Sequence, residues 1–523
     1  MTFPARGTAA GALRETVEQA GAQVFLRFGD EAITYAELDE RSDRLATGLA
    51  RLGYRRGDRI GLAALNQPEW LDVFFAAQKL GLAVVTLNVR YREAELCYML
   101  NQSGARGLVC LARLPDFDFQ ALFASLGDRL PALSHHAFIG EASYAELAAT
   151  PADPGLLAEA AAQLDPSDPA IVLYTSGTTG QPKGAVITNR SLLASARAQV
   201  EHFGLRASDV AIGTMPLNHV GGITCTVSTA LLTASSVVLL PAFDPVGTLA
   251  AIDAHRATVF GGVPTMYLLM LSHPDFARYD VSSLRYAIAG GSNVEPELCE
   301  RIAAGFPNAR LANLYGLSES SGACVLSASS DDVAAVARSI GVVVDGFEGR
   351  VTGLDGAVLP AGEIGELQVR GECVAAGYWE MPEQSAQTFL PGGWMATGDM
   401  ALLEPDGHVV LKGRRKEMYI QGGYNVYPVE VENVLGAHPE VAMAAGIGVP
   451  DPVLGEVGRY YVVPAPGAHP TAGDLAAWCR ERLADYKVPR ELVFAEQLPL
   501  TPAGKVQKAA LRETAARDNA ERV

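Results

Sequence analysis

Between Tyr174 and Gly184 the chain gathers four hydroxyl side chains (Thr175, Ser176, Thr178, Thr179), three glycines (Gly177, Gly180, Gly184) and Lys183. Glycine lets backbone approach a ligand closely, so N–H groups can converge on anionic oxygens. Lysine adds a compact positive charge. Such a loop suits a polyphosphate. It is not a Walker A site, which needs Gly-Lys followed by Ser or Thr. Here Lys183 follows Pro182 and precedes Gly184, and the later Gly504-Lys505 is followed by Val506.

Further along, Asn313, Leu314, Tyr315, Gly316, Leu317, Ser318 and Glu319 form a second group. Glu319 offers hard oxygens for Mg²⁺ shared with phosphates. Tyr315 offers a flat face for a purine, and Asn313 an amide donor and acceptor for its edge. A third group ends in Thr397, Gly398 and Asp399. One carboxylate can accept both hydrogen bonds of a diol. Lys412, Arg414, Arg415 and Lys416 follow closely, and Lys505 stands after Gly504 near the end.

The loop at 174–184, the Tyr-Gly-x-Ser-Glu run at 315–319, the Thr-Gly-Asp run at 397–399 and the Gly-Lys pair at 504–505 resemble, in order, the motifs of the adenylate-forming superfamily. That superfamily holds acyl-CoA synthetases, peptide-synthetase adenylation domains and firefly luciferase. The likeness spans nearly the whole chain and is closest to the acyl-CoA synthetases. Ser318 stands where the family usually has Thr. Gly291, Ser292 and Asn293 stand where the family has Gly-Ala-Pro beside the adenine and the acyl group.

The resemblance implies roles. Thr175, Ser176, Gly177, Thr178, Thr179 and Lys183 would hold phosphates, with Thr175 and Glu319 as magnesium ligands. Gly291, Ser292, Asn293, Asn313, Leu314, Tyr315 and Gly316 would line the adenine, and Asp399 and Arg414 the ribose. Lys416 would be the pivot of a rotating C-terminal domain, and Gly423 would stand beside the pantetheine tunnel. Lys505 would bridge the α-phosphate and the carboxylate. His219, in the run 215–222, would wall or gate the acyl site without acting as a general base. The implied cofactors are ATP, Mg²⁺ and coenzyme A.

The implied reaction is two-step: acid plus ATP gives acyl-adenylate and pyrophosphate, then a CoA thiolate displaces AMP. Residues 215–222 contain no acid to pair with a substrate amino group, which favours a plain carboxylate. Small residues (Gly262, Ala289, Gly316, Ser320, Ser321, Gly322) allow a fatty or an aryl acid. A carrier-protein thiol is the alternative acceptor. A non-catalytic nucleotide-binding protein is the distant alternative. A serine hydrolase is disfavoured, because Gly316-Leu317-Ser318-Glu319-Ser320 lacks the final glycine of a nucleophile elbow.

Chemistry of this kind needs rigid elements around it. The chain has 523 residues with 49% hydrophobic content, enough for more than one domain. Thr34 with Glu37 has capping-box spacing and predicts a helix over 34–53. Strands are predicted at 59–65 and 83–87, a helix at 69–80 between them, and a buried strand at 170–174. That alternation argues for parallel α/β architecture. By resemblance, 1–412 is a large α/β domain of two stacked mixed or parallel sheets, with a small β-barrel subdomain at about 340–412. Residues 413–416 are the hinge, and 417–523 a small mobile α+β domain.

The net charge of −18 argues against a nucleic-acid surface. Seven scattered cysteines without a Cys-x-x-Cys pair predict reduced, mostly buried thiols and a cytoplasmic location. The N-terminus lacks a secretory signal, and no apolar run predicts a membrane span. His135 and His136 lack companions for a metal, and no structural metal is expected. A homodimer is compatible with the sequence.

Overall fold

The computed structural model describes residues 7–175, 181–291, 294–353, 355–422, 424–500 and 506–521. Thr34 caps the helix Tyr35–Arg51 as its spacing predicts. Its hydroxyl accepts from the Glu37 amide at 3.2 Å, and the Glu37 carboxylate accepts from the Thr34 amide at 2.7 Å. The predicted strands appear at Arg59–Ala63 and Ala83–Thr86. The helix between them, Pro68–Leu80, starts on a proline, where a missing N–H costs no bond.

Those elements belong to a six-stranded sheet ordered Lys183–Thr188, Pro169–Thr175, Ala83–Thr86, Arg59–Ala63, Gly107–Leu111, His135–Ile139. Only its first pairing is antiparallel. A nine-stranded sheet carries Tyr286–Gly290 and Arg310–Leu317 as parallel neighbours. Apolar residues of both sheets share one core with the helices Tyr35–Arg51, Pro68–Leu80 and Asn189–Phe203. All of Pro68–Leu80 except Glu69 is buried, as a helix sandwiched between sheets must be.

The glycine-rich stretch after 340 forms a five-stranded antiparallel sheet, Glu348–Thr352 to Val409–Arg414. Trp394–Leu403 has Gly365–Arg370 on one side and both Phe389–Leu390 and Val409–Arg414 on the other. The sheet is open among the described residues, so the expected barrel is not closed by backbone pairing. One of its borders is tied instead to the nine-stranded sheet, through the bridge of Val342 with His408.

The chain leaves this sheet at Arg414 through a tight turn, in which the amides of Glu417 and Met418 both donate to Arg414 O. Beyond it lies a second mixed five-stranded sheet with the helices Pro428–Gly436, Ala472–Arg480 and Lys508–Glu521. Leu511 and Ala515 seat the last helix on this sheet, against Ile447 and Tyr461.

All seven cysteines are free and six are buried. Burial pushes the thiols of Cys299 and Cys324 up to about 12, and those of Cys225 and Cys479 up to about 11. Among the described residues no helix is long and apolar enough to cross a membrane.

Candidate active site

Three sheets bring their strand ends to one region. Pro169–Thr175 ends where the hydroxyl-rich loop begins, Tyr286–Gly290 ends at Gly291, and Arg310–Leu317 runs into Glu319. Ligands of open α/β sheets sit outside such carboxyl ends. The antiparallel sheet adds Asp399 and Arg414.

Thr175 and Lys183 are paired across the base of the loop, with the Thr175 hydroxyl 3.5 Å from Lys183 O. The base is fastened from outside. Tyr98 donates to Pro182 O at 3.0 Å, and Tyr174 bonds Met99 O and Gln102. Gln102 in turn donates to Trp379 O at 2.7 Å. The segment 376–379 runs along the far edge of Lys183–Thr188. It delivers Tyr378, whose ring centroid lies 5.1 Å from Lys183 Nζ. The Tyr378 hydroxyl donates to Glu319 Oε1 at 2.7 Å. Burial, and then the Glu319 charge, push that phenol well above its ordinary range.

Glu319 stands in the short helix Ser318–Ser320, its carbonyl accepting from the Ala375 amide at 2.9 Å. Its Oε2 has no hydrogen-bond partner among the described residues. Ser318 is buried. Gly316 packs so tightly that an added Cβ would fall 1.9 Å from Gly322 O, so no other residue fits there.

Asp399 is buried, and both its oxygens are engaged. Tyr315 donates to Oδ2 at 2.6 Å, and Arg414 Nε approaches Oδ1 at 2.6 Å. Gly398 turns with φ of 73°, which lets its amide donate to Glu366 and aims Asp399 inward. Burial, and then Asp399, hold the Tyr315 phenol far above its usual range.

Asn313 corrects the sequence reading. Its amide nitrogen donates to Val336 O at 2.6 Å and to Ser339 O at 2.8 Å, so both side-chain hydrogens are engaged. Only its oxygen remains for a purine, and its other work is to pin the 336–339 turn. A cleft of about 270 Å³ is bordered by Gly291, Asn313, Tyr315, Asp399 and Arg414 on one side. Glu417, Glu432, Asn433 and Lys508 border it on the other. Leu314 and Gly316 line it too. Lys416 is exposed beside it.

His219 caps a short helix on a separate loop, its Nδ1 accepting from the Gly221 amide at 3.1 Å. A neutral ring bonded in this way carries its proton on Nε2. Buried Asn66 clamps the same loop, donating to Met215 O at 3.1 Å and accepting from the Leu217 amide at 2.9 Å. The helix continues as a π-turn, Ile223–Ser228. Ser176, Gly177, Thr178, Thr179, Ser292, Asn293, Gly423 and Lys505 lie outside the described residues.

Tyr378, Asn66, Gln102 and the group Glu417, Glu432 and Lys508 escape sequence reasoning. Each acts through a partner remote in the chain, and no local pattern marks it.

Comparison with known proteins gives concordant matches. The model of the AMP-binding enzyme family matches residues 13–379, and that of the AMP-binding enzyme C-terminal domain matches 430–505. A feruloyl-CoA synthase from Amycolatopsis sp is 38% identical, over 93% of this chain and 95% of its own. The crystal structure of an anthranilate CoA ligase in complex with anthranoyl-AMP superposes with a TM-score of 0.88 at 29% identity, covering 97% of each chain. ATP-bound MatB from Rhodopseudomonas palustris gives 0.89 at 30%, covering 97% of this chain and 99% of its own.

Proposed function

The chain belongs to the AMP-binding enzyme family, and from that premise we propose how its residues divide the work of an AMP-forming acid–CoA ligase. The enzyme activates a carboxylic acid with ATP as an acyl-adenylate, and then transfers the acyl group to coenzyme A. The observation that carries the residue assignment is the pair Tyr315–Asp399–Arg414 and Lys183–Tyr378–Glu319. One chain of contacts leads to a diol-binding carboxylate, the other to a metal-binding one.

In-line attack of a carboxylate on the α-phosphorus brings two anions together, so oriented donors and positive charge must await them. Asp399, held by Tyr315 and Arg414, presents a fixed carboxylate to the ribose hydroxyls. Tyr315 and the Asn313 oxygen face the base from the cleft wall. Lys183, with Thr175, Ser176, Gly177, Thr178 and Thr179, holds the phosphates. Hard oxygen donors suit Mg²⁺, and Glu319 with the Thr175 hydroxyl would hold it. When bound, that ion neutralises phosphate charge. Lys505 stabilises the charge that develops between the α-phosphate and the attacking carboxylate, and the Ser318 hydroxyl hydrogen-bonds a phosphate. His219 borders the acyl site.

Residues 417–523 form the mobile unit, pivoting at Lys416 between the two half-reactions and bringing Gly423 to the thiol channel. The acid is an apolar monocarboxylate. The similarity to a feruloyl-CoA synthase and to an anthranilate CoA ligase supports an aryl or aryl-propenoic acid before a fatty one. The site residues assigned here all belong to one chain, and a homodimer is compatible with that assignment. A cytoplasmic location fits the shielded thiols.

The test is ATP–pyrophosphate exchange and CoA-dependent AMP release with ferulate, anthranilate, benzoate and a medium-chain fatty acid. Lys505→Ala is expected to lose roughly two to three orders of magnitude in exchange. It should largely spare thioester formation from supplied acyl-adenylate. Equal loss in both half-reactions would reject the role given to Lys505. Failure of every acid to support exchange would reject the ligase reading.

A further inference from the structure

Lys508 is not among the residues given a role above, yet it lines the cleft. Its side chain is 14% exposed. Nζ stands 2.9 Å from Glu417 and 2.7 Å from Glu432. Glu417 is the first residue past the proposed pivot. Glu432 also accepts from the Gly446 amide at 2.7 Å, which ties the cluster to the C-terminal sheet. The helix that carries Lys508 is anchored on that sheet by Leu511 and Ala515.

Next to the cleft-lining Val294 stands Glu295, which precedes the helix Pro296–Gly305 of the N-terminal part. Its carboxylate abuts the backbone of Gly436, where an added Cβ would fall 2.5 Å from Oε1. The two parts are therefore in contact here, and the contact is acidic. Burial, then Glu297 and Glu432, push Glu295 up to about 7. Charges facing this cluster are Glu297 beside Glu295, Arg414 and Lys416 at the pivot, and Arg512 one turn beyond Lys508. Removing the Lys508 charge would leave Glu417 and Glu432 unneutralised on a cleft that must admit a polyanion, with Glu295 facing Glu432 beside it. A buried carboxylate that loses its partner is strongly destabilised.

We propose that Lys508 is a positioning residue of the adenylation step: by cancelling Glu417 and Glu432, it keeps the C-terminal wall of the cleft seated against Glu295 while an anionic nucleotide is bound. The inference rests on the ligase reading above. Thioester formation, with the C-terminal unit rotated away, makes no such demand on it.

The experiment uses the full chain and measures both half-reactions from pH 6 to 9, with melting temperature as the folding control. Variants are Lys508→Met, Lys508→Arg and the double variant Lys508→Met/Glu432→Gln. In Lys508→Met, kcat/KM for ATP in exchange is expected to fall by about 30-fold or more, the low end of the scale for stranding a buried charge. The loss should deepen as pH rises through about 7, where Glu295 ionises. Thioester formation from supplied acyl-adenylate should stay within about threefold, since its demands lie elsewhere. Lys508→Arg should recover most of the exchange rate. The double variant should recover part of it, because it removes one of the two carboxylate charges that the loss of the lysine strands.

Equal loss in both half-reactions, a pH profile parallel to wild type, or a folded double variant no better than Lys508→Met would each overturn the proposal. If Lys508→Met does not fold, the double variant alone decides. Wild type that exchanges no pyrophosphate with any acid would bring down the ligase reading, and this inference with it.

Discussion

Glu319 and Tyr378 stand 59 positions apart in the chain and 2.7 Å apart in the fold. The carboxylate alone is legible in sequence, through the resemblance of its run to the family's Tyr-Gly-x-Thr-Glu. The phenol that aims it has no motif, and it arrives on a segment laid along the strand Lys183–Thr188. A hydrogen bond to a charged group contributes about 1.5–3 kcal/mol, so losing it costs roughly one to two orders of magnitude if felt fully in the transition state. Tyr378→Phe is therefore expected to slow ATP–pyrophosphate exchange by about tenfold or more. It should also raise the Mg²⁺ concentration needed for half-maximal rate. An unchanged magnesium titration would show that Glu319 is oriented by something else. Asn313 carries the opposite lesson. Its residue type suggested a donor and an acceptor for a base edge, but two backbone carbonyls claim both of its hydrogens.

Whole elements were more legible than contacts between them. The helix after Thr34 follows from a capping box closed within four residues, and the strands at 59–63 and 83–86 follow from apolar runs of the right length. The short alternating runs after 340 mark a β-rich part, but closure depends on pairing between strands far apart in sequence, which residue pattern does not encode; the barrel is an expectation from resemblance alone. The loop of His219 shows the same limit. Its position depends on Asn66, which lies ahead of the helix Pro68–Leu80 and bonds both Met215 O and the Leu217 amide. Asn66→Ala would leave the amide of buried Leu217 without a partner, at a cost of about 1–3 kcal/mol. The expected result is a lower melting temperature and a raised KM for the acid, with KM for ATP nearly unchanged. A rise confined to ATP would place this loop elsewhere in the mechanism.

At the scale of the molecule, the seating of Glu295 on Gly436 is expected to make the relation between the two parts sensitive to pH. A carboxyl raised to about 7 on burial favours its contact while protonated. That contribution is complete below the ordinary carboxylate range and is lost as pH climbs through about 7. Buried Asp72, beside Arg41, is also pushed up to about 7, so the wild-type stability curve contains both groups. The difference between wild type and Glu295→Gln isolates the interface. The radius of gyration from small-angle scattering should grow between pH 6 and 8.5 in wild type, and change less in Glu295→Gln. Identical curves would show that the contact does not govern the arrangement. Such movement is also open to direct observation. Since the native sulfur atoms are shielded and reluctant to ionise, maleimide dyes should react slowly with the folded enzyme. A pair of surface positions recoded to cysteine, one on each side of the pivot, would then take up fluorophores against a quiet background. Single-molecule energy transfer could then test the proposed rotation without first stripping the protein of its own thiols.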